Sequence, residues 1–396
     1  MCWDLSLKFL AIMNKKYYYS FYYHIVEKWR NNQQETQIIY YIKNMEKNYN
    51  CGSSETIRKA LNFNFNDFYK YGHAHHVPRI EESFLEWFIG FFEGDGSLGF
   101  SKKRCYNRSR NGKNYIEPVC ERLFFTICQK ERQIIEKISY TFGFGSVSSF
   151  KKNEIIYWRW SLDSKESIER ISYLLSGNLI LTKRQEQFLK WVEMGEKKNM
   201  FKFPFNKNKP WTSNISLNNG WVSGFIDAEG CFYANFSIPS TLKHKIKKLP
   251  IMKKNWSKQD YEMFLEISKY KFKLKQKITL TQVSTYENLE LFKKILILFE
   301  GKTLYIFNNN KMSKVTYNSY VRIEFNSLSS HKLIINYLTN YPLQTIKNVS
   351  FKRWQRVYLR RKEGIHLSPK GTRRLYRLVN AINNHSKTLY DKKYIY

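Results

Sequence analysis

The chain has 396 residues, with 67 Lys+Arg against 33 Asp+Glu, and a formal net charge of +34. That length suits two or three domains, and 42% hydrophobic with 17% aromatic residues argues against disorder of the whole chain. A compact body so charged repels itself unless it meets a polyanion, so nucleic acid is the first partner to expect and an acidic membrane surface the second.

Other classes recede on local features. No run of 18 apolar residues exists, which argues against a transmembrane helix and a membrane partner. The apolar stretch Leu5 to Met13 follows Asp4 and is interrupted by Lys8, a poor secretory signal; the first arginine is Arg30, unlike an Arg-rich presequence. The six cysteines form no C-x-x-C pair, so zinc ribbons and a disulfide framework are poorly supported. Lysine outnumbers arginine 48 to 19, and Asn, Ile, Tyr and Phe abound, which hints at an A+T-rich genome such as an organelle's.

Residues 1–81 read as an N-terminal extension, with Tyr and Asn in short runs and a helical stretch at Tyr22 to Arg30. His73, His75 and His76 lack Cys or carboxylate partners at ligand spacing and read as a surface loop. Ser83, followed by Glu86 three residues later, predicts a capping box. It opens an apolar helix ending Gly90-Phe91-Phe92-Glu93-Gly94-Asp95-Gly96. A second version comes 134 residues later, Gly224-Phe225-Ile226-Asp227-Ala228-Glu229-Gly230.

The repeat continues downstream. A strand at Glu121 to Lys130 is followed by a helix at Ile134 to Phe142, strands at Ser146 to Phe150 and Ile155 to Leu162, and helices at Lys165 to Leu175 and Lys183 to Met194. The second copy predicts a strand at Lys277 to Val283, a helix at Asn288 to Phe299, strands at Lys302 to Phe307 and around Tyr320 to Arg322, and helices at Ser330 to Leu338 and Phe351 to Leu359. Arg159 to Phe188 and Arg322 to Phe351 are both 29 residues. The domains are therefore 82–196 for repeat one, 197–216 for a linker, 217–360 for repeat two and 361–396 for a basic tail.

Small residues four apart, Gly90 with Gly94 and Gly224 with Ala228, give each motif helix a face on which the two backbones can nearly touch. Each helix then ends in a carboxylate before glycine, Asp95-Gly96 and Glu229-Gly230, at the negative end of its dipole. Two carboxylates meeting there repel each other unless a divalent cation sits between them. Glu93 and Asp227, two positions earlier, lie on another face and read as structural acids.

These paired motifs with their downstream repeats resemble the two-motif, single-chain LAGLIDADG homing endonucleases over about residues 82–360. The resemblance implies an α+β fold: two pseudo-twofold-related repeats, each an antiparallel sheet with packed helices, forming a DNA-binding saddle. It implies that Asp95 and Glu229, with the carbonyls of Gly94 and Ala228, bind Mg²⁺. It implies further that Gln129 and Gln282, with Lys183 and Lys347, surround the attacking water. Aligned through Phe188 and Phe351, however, Lys347 falls opposite Arg184, and Ile346 opposite Lys183. The implied partner is double-stranded DNA with a long specific site, cut by a monomer encoded in a mobile organellar intron, mitochondrial or chloroplast. The alternatives are a maturase acting on host intron RNA and a non-catalytic DNA-binding regulator; intact motif acids favour cutting.

The DNA-contacting surface is expected on two basic elements. In repeat one it is a hairpin with Lys102, Lys103 and Arg104. In repeat two it is the insertion 239–277, with 12 Lys and three acids. Its alternation Lys269, Lys271, Lys273, Lys275 predicts a basic β-ribbon for the major groove. Arg159 and Arg322 either face phosphates or pair with acids, and the sequence leaves both open. Residues 83–200 hold a net +6, residues 201–360 hold +18 and the tail +7, so the charge gathers on repeat two.

Overall fold

A computed structural model describes residues 38–41, 63–103, 108–110, 113–115, 120–202, 206, 209–237, 257–268, 273–307, 319–364 and 369–384. Strand β1 (Ile38–Tyr41) precedes the first motif helix α1 (Glu82–Asp95). Repeat one continues with β2 (Gly96–Lys103), a small hairpin of β3 (Arg108–Arg110) and β4 (Lys113–Tyr115), and β5 (Cys120–Gln129). Then come α2 (Arg132–Phe142), β6 (Ser146–Lys152), β7 (Ile155–Leu162), α3 (Lys165–Leu175) and α4 (Thr182–Lys197). Repeat two opens with the motif helix α5 (Trp221–Glu229) and β8 (Gly230–Ser237), then α6 (Lys258–Ser268), β9 (Lys273–Val283) and α7 (Tyr286–Leu298). It closes with β10 (Thr303–Phe307), β11 (Tyr320–Phe325), α8 (Leu328–Asn340), α9 (Lys347–Lys362) and α10 (Pro369–Ala381). No helix among the described residues is long and apolar enough to cross a membrane.

Each repeat is one antiparallel sheet backed by helices. The orders are β2-β5-β7-β6 in repeat one and β10-β11-β9-β8 in repeat two, with β1 added at the outer edge of β10. Period-two alternation sorts the strand residues. In β5, Leu123, Phe125 and Ile127 are buried against the helices; in β9, Gln276, Ile278 and Leu280 are. The intervening residues, such as Lys275, Lys277, Thr279 and Thr281, face a groove. On α2, Ile134, Ile135, Ile138 and Phe142 form the buried stripe, and the helix stops at Gly143, whose φ of +70° is left-handed. Hydroxyl caps fix other starts: Ser164, Thr285 and Ser327 each accept a bond from the backbone N–H three residues on.

The repeats meet through α1 and α5, packed backbone to backbone. A Cβ built on Gly90 would overlap the Trp221 carbonyl oxygen, and one on Gly224 the Trp87 carbonyl oxygen. Glycine in these helix interiors costs about 0.5–1 kcal/mol each relative to alanine, and this close approach is what that cost supports. Gly96 and Gly230 serve differently from the left-handed cap glycine usual after a helix. Both are extended, with φ of −79° and −78°. A Cβ on either would stand 2.6 Å from the carbonyl oxygen four residues back, so each helix runs straight into its strand.

Several expectations are corrected. The capping box does not form: the N-cap is Glu81, without a side-chain cap bond, and Glu86 Oε2 instead accepts the Gly220 N–H of the other repeat at 2.8 Å. The extension does not end at residue 81. Phe63, Phe65 and Phe68 are buried in repeat one, and the Asn178 amide bonds both the N–H (2.9 Å) and the carbonyl (3.0 Å) of Asn64. Phe63 and Phe65 alternate with exposed Asn64 and Asn66, a period-two pattern too short to stand out in the sequence. The tail is not all loose charge, because Leu375 and Val379 on α10 and Ile382 just past it are buried, and Asn383 Nδ2 donates to Phe232 O at 2.8 Å. The insertion is not ribbon throughout: α6 occupies its middle, and residues 269–272, ahead of the described strand β9, lie outside the described residues. The Tyr22 to Arg30 helix lies outside the described residues.

Candidate active site

Two buried tryptophan–carboxylate pairs bolt the motif helices together. Trp87 Nε1 donates to Asp227 Oδ2 at 2.9 Å, and Trp221 Nε1 donates to Glu93 Oε2 at 2.6 Å. The same acids hold the start of a later helix in their own repeat. Glu93 Oε1 accepts from the N–H groups of Ile180 (2.9 Å) and Leu181 (2.7 Å), ahead of α4. Asp227 accepts from Gln344 N (2.7 Å) and Thr345 Oγ1, ahead of α9. Each such bond to a charged group contributes about 1.5–3 kcal/mol. Both acids are thus saturated structural groups. Sequence reasoning missed their tryptophan partners, although the identical six-residue Trp-to-acid spacing in the two repeats was a signal.

This bracing delivers Asp95 and Glu229 together at the helix C-termini. The Glu229 carboxylate lies against the Gly94 backbone, where a built Cβ would stand 3.7 Å from Oε1. Burial raises the Asp95 pKa, while a 2.6 Å bond from Gln129 Nε2 and the Lys347 and Arg184 charges oppose the rise. Burial and then the Asp95 charge push Glu229 up to about 7, against Lys347, a hydrogen bond from Gln282 and Arg184. Gln129 and Gln282, the last residue of β5 and the penultimate residue of β9, therefore hold equivalent acids.

The basic residues divide unexpectedly. Lys347 Nζ, at the start of α9, donates to the Ala228 carbonyl at 2.7 Å and more weakly to that of Ile226 at 3.4 Å, and burial lowers its pKa. Lys183 does not take the matching place; it is exposed at the start of α4. Arg184, one residue on, takes it. Its Nε donates to Glu93 O at 3.2 Å, its Nη2 to Gly96 O at 2.7 Å and its Nη1 to Gln187 Oε1 at 3.0 Å. The physical reason is helix phase: alignment through Phe188 and Phe351 already set Arg184 opposite Lys347, and one step of a helix turns Lys183 about 100° away.

Among the described residues no cluster of three or more His, Cys, Asp or Glu side chains could hold a metal, so the His73 triplet builds no such site. The central pair fits a cation on other grounds. Two desolvated, mutually repelling carboxylates stand together there, oxygen donors suited to a hard divalent ion that keeps some water.

A groove of about 870 Å³ runs from Glu229 along the repeat-two sheet, lined by Cys231, Tyr233, Lys275, Lys277 and Arg322 among others. Lys277 pairs with Glu324 across it. Arg322 Nε donates to Thr281 Oγ1 at 3.0 Å and lies 5.3 Å from the Phe307 ring centroid. Arg159 repeats this in repeat one, with Nε on Cys128 Sγ at 3.4 Å and the Phe150 ring at 4.5 Å. Both arginines lie on aromatic rings rather than in an ion pair among the described residues. Lys102 and Lys103 stand on the outer end of β2, paired in register with Glu121 and Cys120. Lys273 starts β9; Arg104, Lys269 and Lys271 lie outside the described residues.

A family model for LAGLIDADG endonucleases matches residues 88–194 and 222–358, one segment in each repeat. Probable intron-encoded endonuclease 4 of Neurospora crassa is 26% identical over 320 residues, covering 79% of this chain and 46% of that protein. The chain thus spans about half the length of that relative. An uncharacterized cox1 intron-2 protein of Schizosaccharomyces pombe is 24% identical over 329 residues, covering 81% and 79%. Among solved structures, I-SmaMI bound to uncleaved DNA target in the presence of calcium ions superposes with a TM-score of 0.52 at 15% identity, covering 77% of this chain and 99% of that one. The I-LtrWI LAGLIDADG homing endonuclease bound to target DNA gives 0.51 at 18% identity, covering 76% and 99%. Those two likenesses concern the fold, which is α+β with two sheet-and-helix repeats. With a family model matched across both repeats and over half of its residues, the chain belongs to the LAGLIDADG endonuclease family.

Proposed function

We propose that this chain is a site-specific double-strand DNA endonuclease in which each repeat serves the hydrolysis of one strand. The observation that carries the reading is the meeting of Asp95 and Glu229 at two helix C-termini, each held by a sheet glutamine and both desolvated. The two sheet faces with their cations flank that point, so a duplex along them would bring phosphates to the acids. The DNA-bound state of I-SmaMI and I-LtrWI supports the same use of the fold.

Asp95 and Glu229, with the carbonyls of Gly94 and Ala228, would hold Mg²⁺. Such an ion supplies an activated water and a stabilised leaving oxygen for in-line displacement at phosphorus. The protein's part is positional. Gln129 and Gln282 fix the carboxylate rotamers and leave amide groups beside the attacking water. Lys347 and Arg184 set positive charge where the phosphate gains negative charge. Arg159, Arg322, Lys102, Lys103, Lys273, Lys275 and the basic residues at 104, 269 and 271 would neutralise DNA phosphates.

Relatives named as intron-encoded, a cox1 intron protein and a mitochondrial protein of Saccharomyces cerevisiae support a mobile-intron origin and a mitochondrial setting. The retention of both acids in a hydrogen-bonded arrangement favours cutting over a role confined to intron RNA. The test is digestion of a plasmid carrying the intronless host gene. Asp95→Asn and Glu229→Gln should each abolish Mg²⁺-dependent double-strand cutting while DNA binding survives. Undiminished cutting by both variants overturns the site.

A further inference from the structure

The junction between β5 and α2 carries two side chains that serve different repeats. Gln129, the last residue of β5, bonds Asp95 in its own repeat at 2.6 Å. Glu131, two residues on, fills the N-cap position of α2 but makes no capping bond to it. Its Oε2 instead accepts the N–H of Ile346 at 2.8 Å, 215 residues away in repeat two. Ile346 is the N-cap residue of α9 and offers that helix no side-chain cap. A carboxylate placed there meets the positive end of the α9 dipole. The next residue is Lys347, whose ammonium reaches Ala228 O at 2.7 Å. Burial raises the Glu131 pKa and the Ile346 bond opposes the rise; the Asp227 charge adds to it and the Lys347 charge opposes it.

Repeat one holds its matching helix from within. There Glu93 takes the lead-in to α4 through Ile180 N and Leu181 N. In repeat two Asp227, one methylene shorter, takes Gln344 N and the Thr345 hydroxyl, and Ile346 N falls to Glu131. The residue matching Glu131 in repeat two is Ser284, two past Gln282, and its N–H bonds Ser319 O at 2.9 Å within the same repeat. Lys137, further along α2, adds an exposed tie to Gln344 Oε1 at 2.6 Å. Repeat one thus braces the start of α9 twice.

Resting on the endonuclease reading above, we infer that Glu131 is a cross-repeat positioning residue: from repeat one it fixes the start of α9 in repeat two, and with it the place of Lys347 beside Ala228 O and the phosphate to be cut. Its carboxyl acts on the backbone of Ile346 and not on the substrate. Without that acceptor, Asp227 holds the lead-in only at residues 344 and 345. Lys347 lies past that hold, so a small turn of the lead-in displaces its ammonium. A misplacement of about 1 Å in a positioned group is enough to cost about 100-fold in rate.

The experiment uses the full chain, Mg²⁺ and a plasmid carrying the intronless host gene, with protein in excess so that the rate reports the bound complex. Glu131→Ala should slow cutting about ten-fold or more. Glu131→Gln keeps an oxygen for the Ile346 N–H and should recover to within about three-fold of the wild type. DNA affinity in Ca²⁺, read by fluorescence anisotropy, should stay within about two-fold for both variants, which places the loss on the chemical step and not on folding or binding. Lys137→Ala removes the exposed tie on the same helix and should also stay within about two-fold in rate. An unchanged rate in Glu131→Ala overturns the inference and leaves the endonuclease reading standing. Glu131→Gln as slow as Glu131→Ala overturns it too, because the effect then follows the charge and not the bond. An equal loss in Lys137→Ala, or an affinity that falls as far as the rate, traces the effect to general loosening between the repeats and overturns it as well. No cutting at all by a DNA-binding wild type overturns the endonuclease reading, and the inference with it.

Discussion

The two repeats share a skeleton but not a surface. Where the halves touch each other, matching is close: Gly90 with Gly224, Trp87 with Trp221, Glu93 with Asp227 and Gln129 with Gln282 have the same neighbours in mirror roles. Where they face outward it lapses. The repeat-one sheet presents Ser148, Arg159 and Ser161, and repeat two presents Lys275, Lys277 and Arg322. An interface packed backbone to backbone tolerates only self-complementary geometry. A duplex with a non-palindromic sequence makes no such demand on the faces that read it.

That contrast makes its strongest prediction at the interface. Gly90→Ala and Gly224→Ala each drive a methyl into a facing carbonyl, so each should cost about 3 kcal/mol or more of stability, and equally, in urea melts. A cost confined to one glycine would break the symmetry claimed for the seam. On the outer faces the two halves should diverge. Neutralising Lys273, Lys275 and Arg322 removes three cations from repeat two; neutralising Lys103 and Arg159 removes two from repeat one. The slope of log affinity against log salt should fall by about 2.7 in the first case and about 1.8 in the second. An inverted order would place the main phosphate contacts on repeat one. Between these lie Trp221→Phe, which orphans Glu93 Oε2 and should cost about 2 kcal/mol, and Trp87→Phe, which leaves Asp227 Oδ2 its bond from Gln344 N and should cost about 1 kcal/mol.

The sequence carried most of this skeleton because it carried it twice. Helix and strand positions in one repeat could be checked against the other, and Asp95 and Glu229 stood out by their shared place before glycine. Features present once were harder to read. Phe63, Phe65 and Phe68 join the repeat-one core without a second copy to reveal them, and α6 interrupts an insertion that has no counterpart. Arg184 shows a different limit. Its alignment opposite Lys347 was visible, but residue type suggested Lys183, and only the turn of the helix decides which of two neighbours points inward. Glu86 was misread because a capping box is a local pattern, whereas its partner, Gly220, lies 134 residues away.

Glu86 and Glu93 give the finest division between the halves. Burial raises both to about 7. A carboxyl whose folded pKa exceeds its unfolded value near 4.5 favours the fold most when protonated, so its contribution is lost as pH rises from about 4.5 through 7. Their partners nevertheless differ. Among the described residues Glu86 accepts one bond, from Gly220 N, and it has no acidic counterpart in repeat two, because position 220 is glycine. Glu93 accepts three bonds, from Ile180 N, Leu181 N and Trp221 Nε1. A glutamine at 86 keeps an oxygen for the single donor and never ionises, so Glu86→Gln should gain about 1 kcal/mol at pH 8 and nothing at pH 4.5. A glutamine at 93 turns an NH₂ toward groups that themselves donate, so Glu93→Gln should lose about 2–4 kcal/mol at both pH values. Urea denaturation at pH 4.5 and 8 reads all four differences, and a gain for Glu93→Gln at pH 8 would mean that desolvation, not hydrogen bonding, governs the acid that ties α1 to α5.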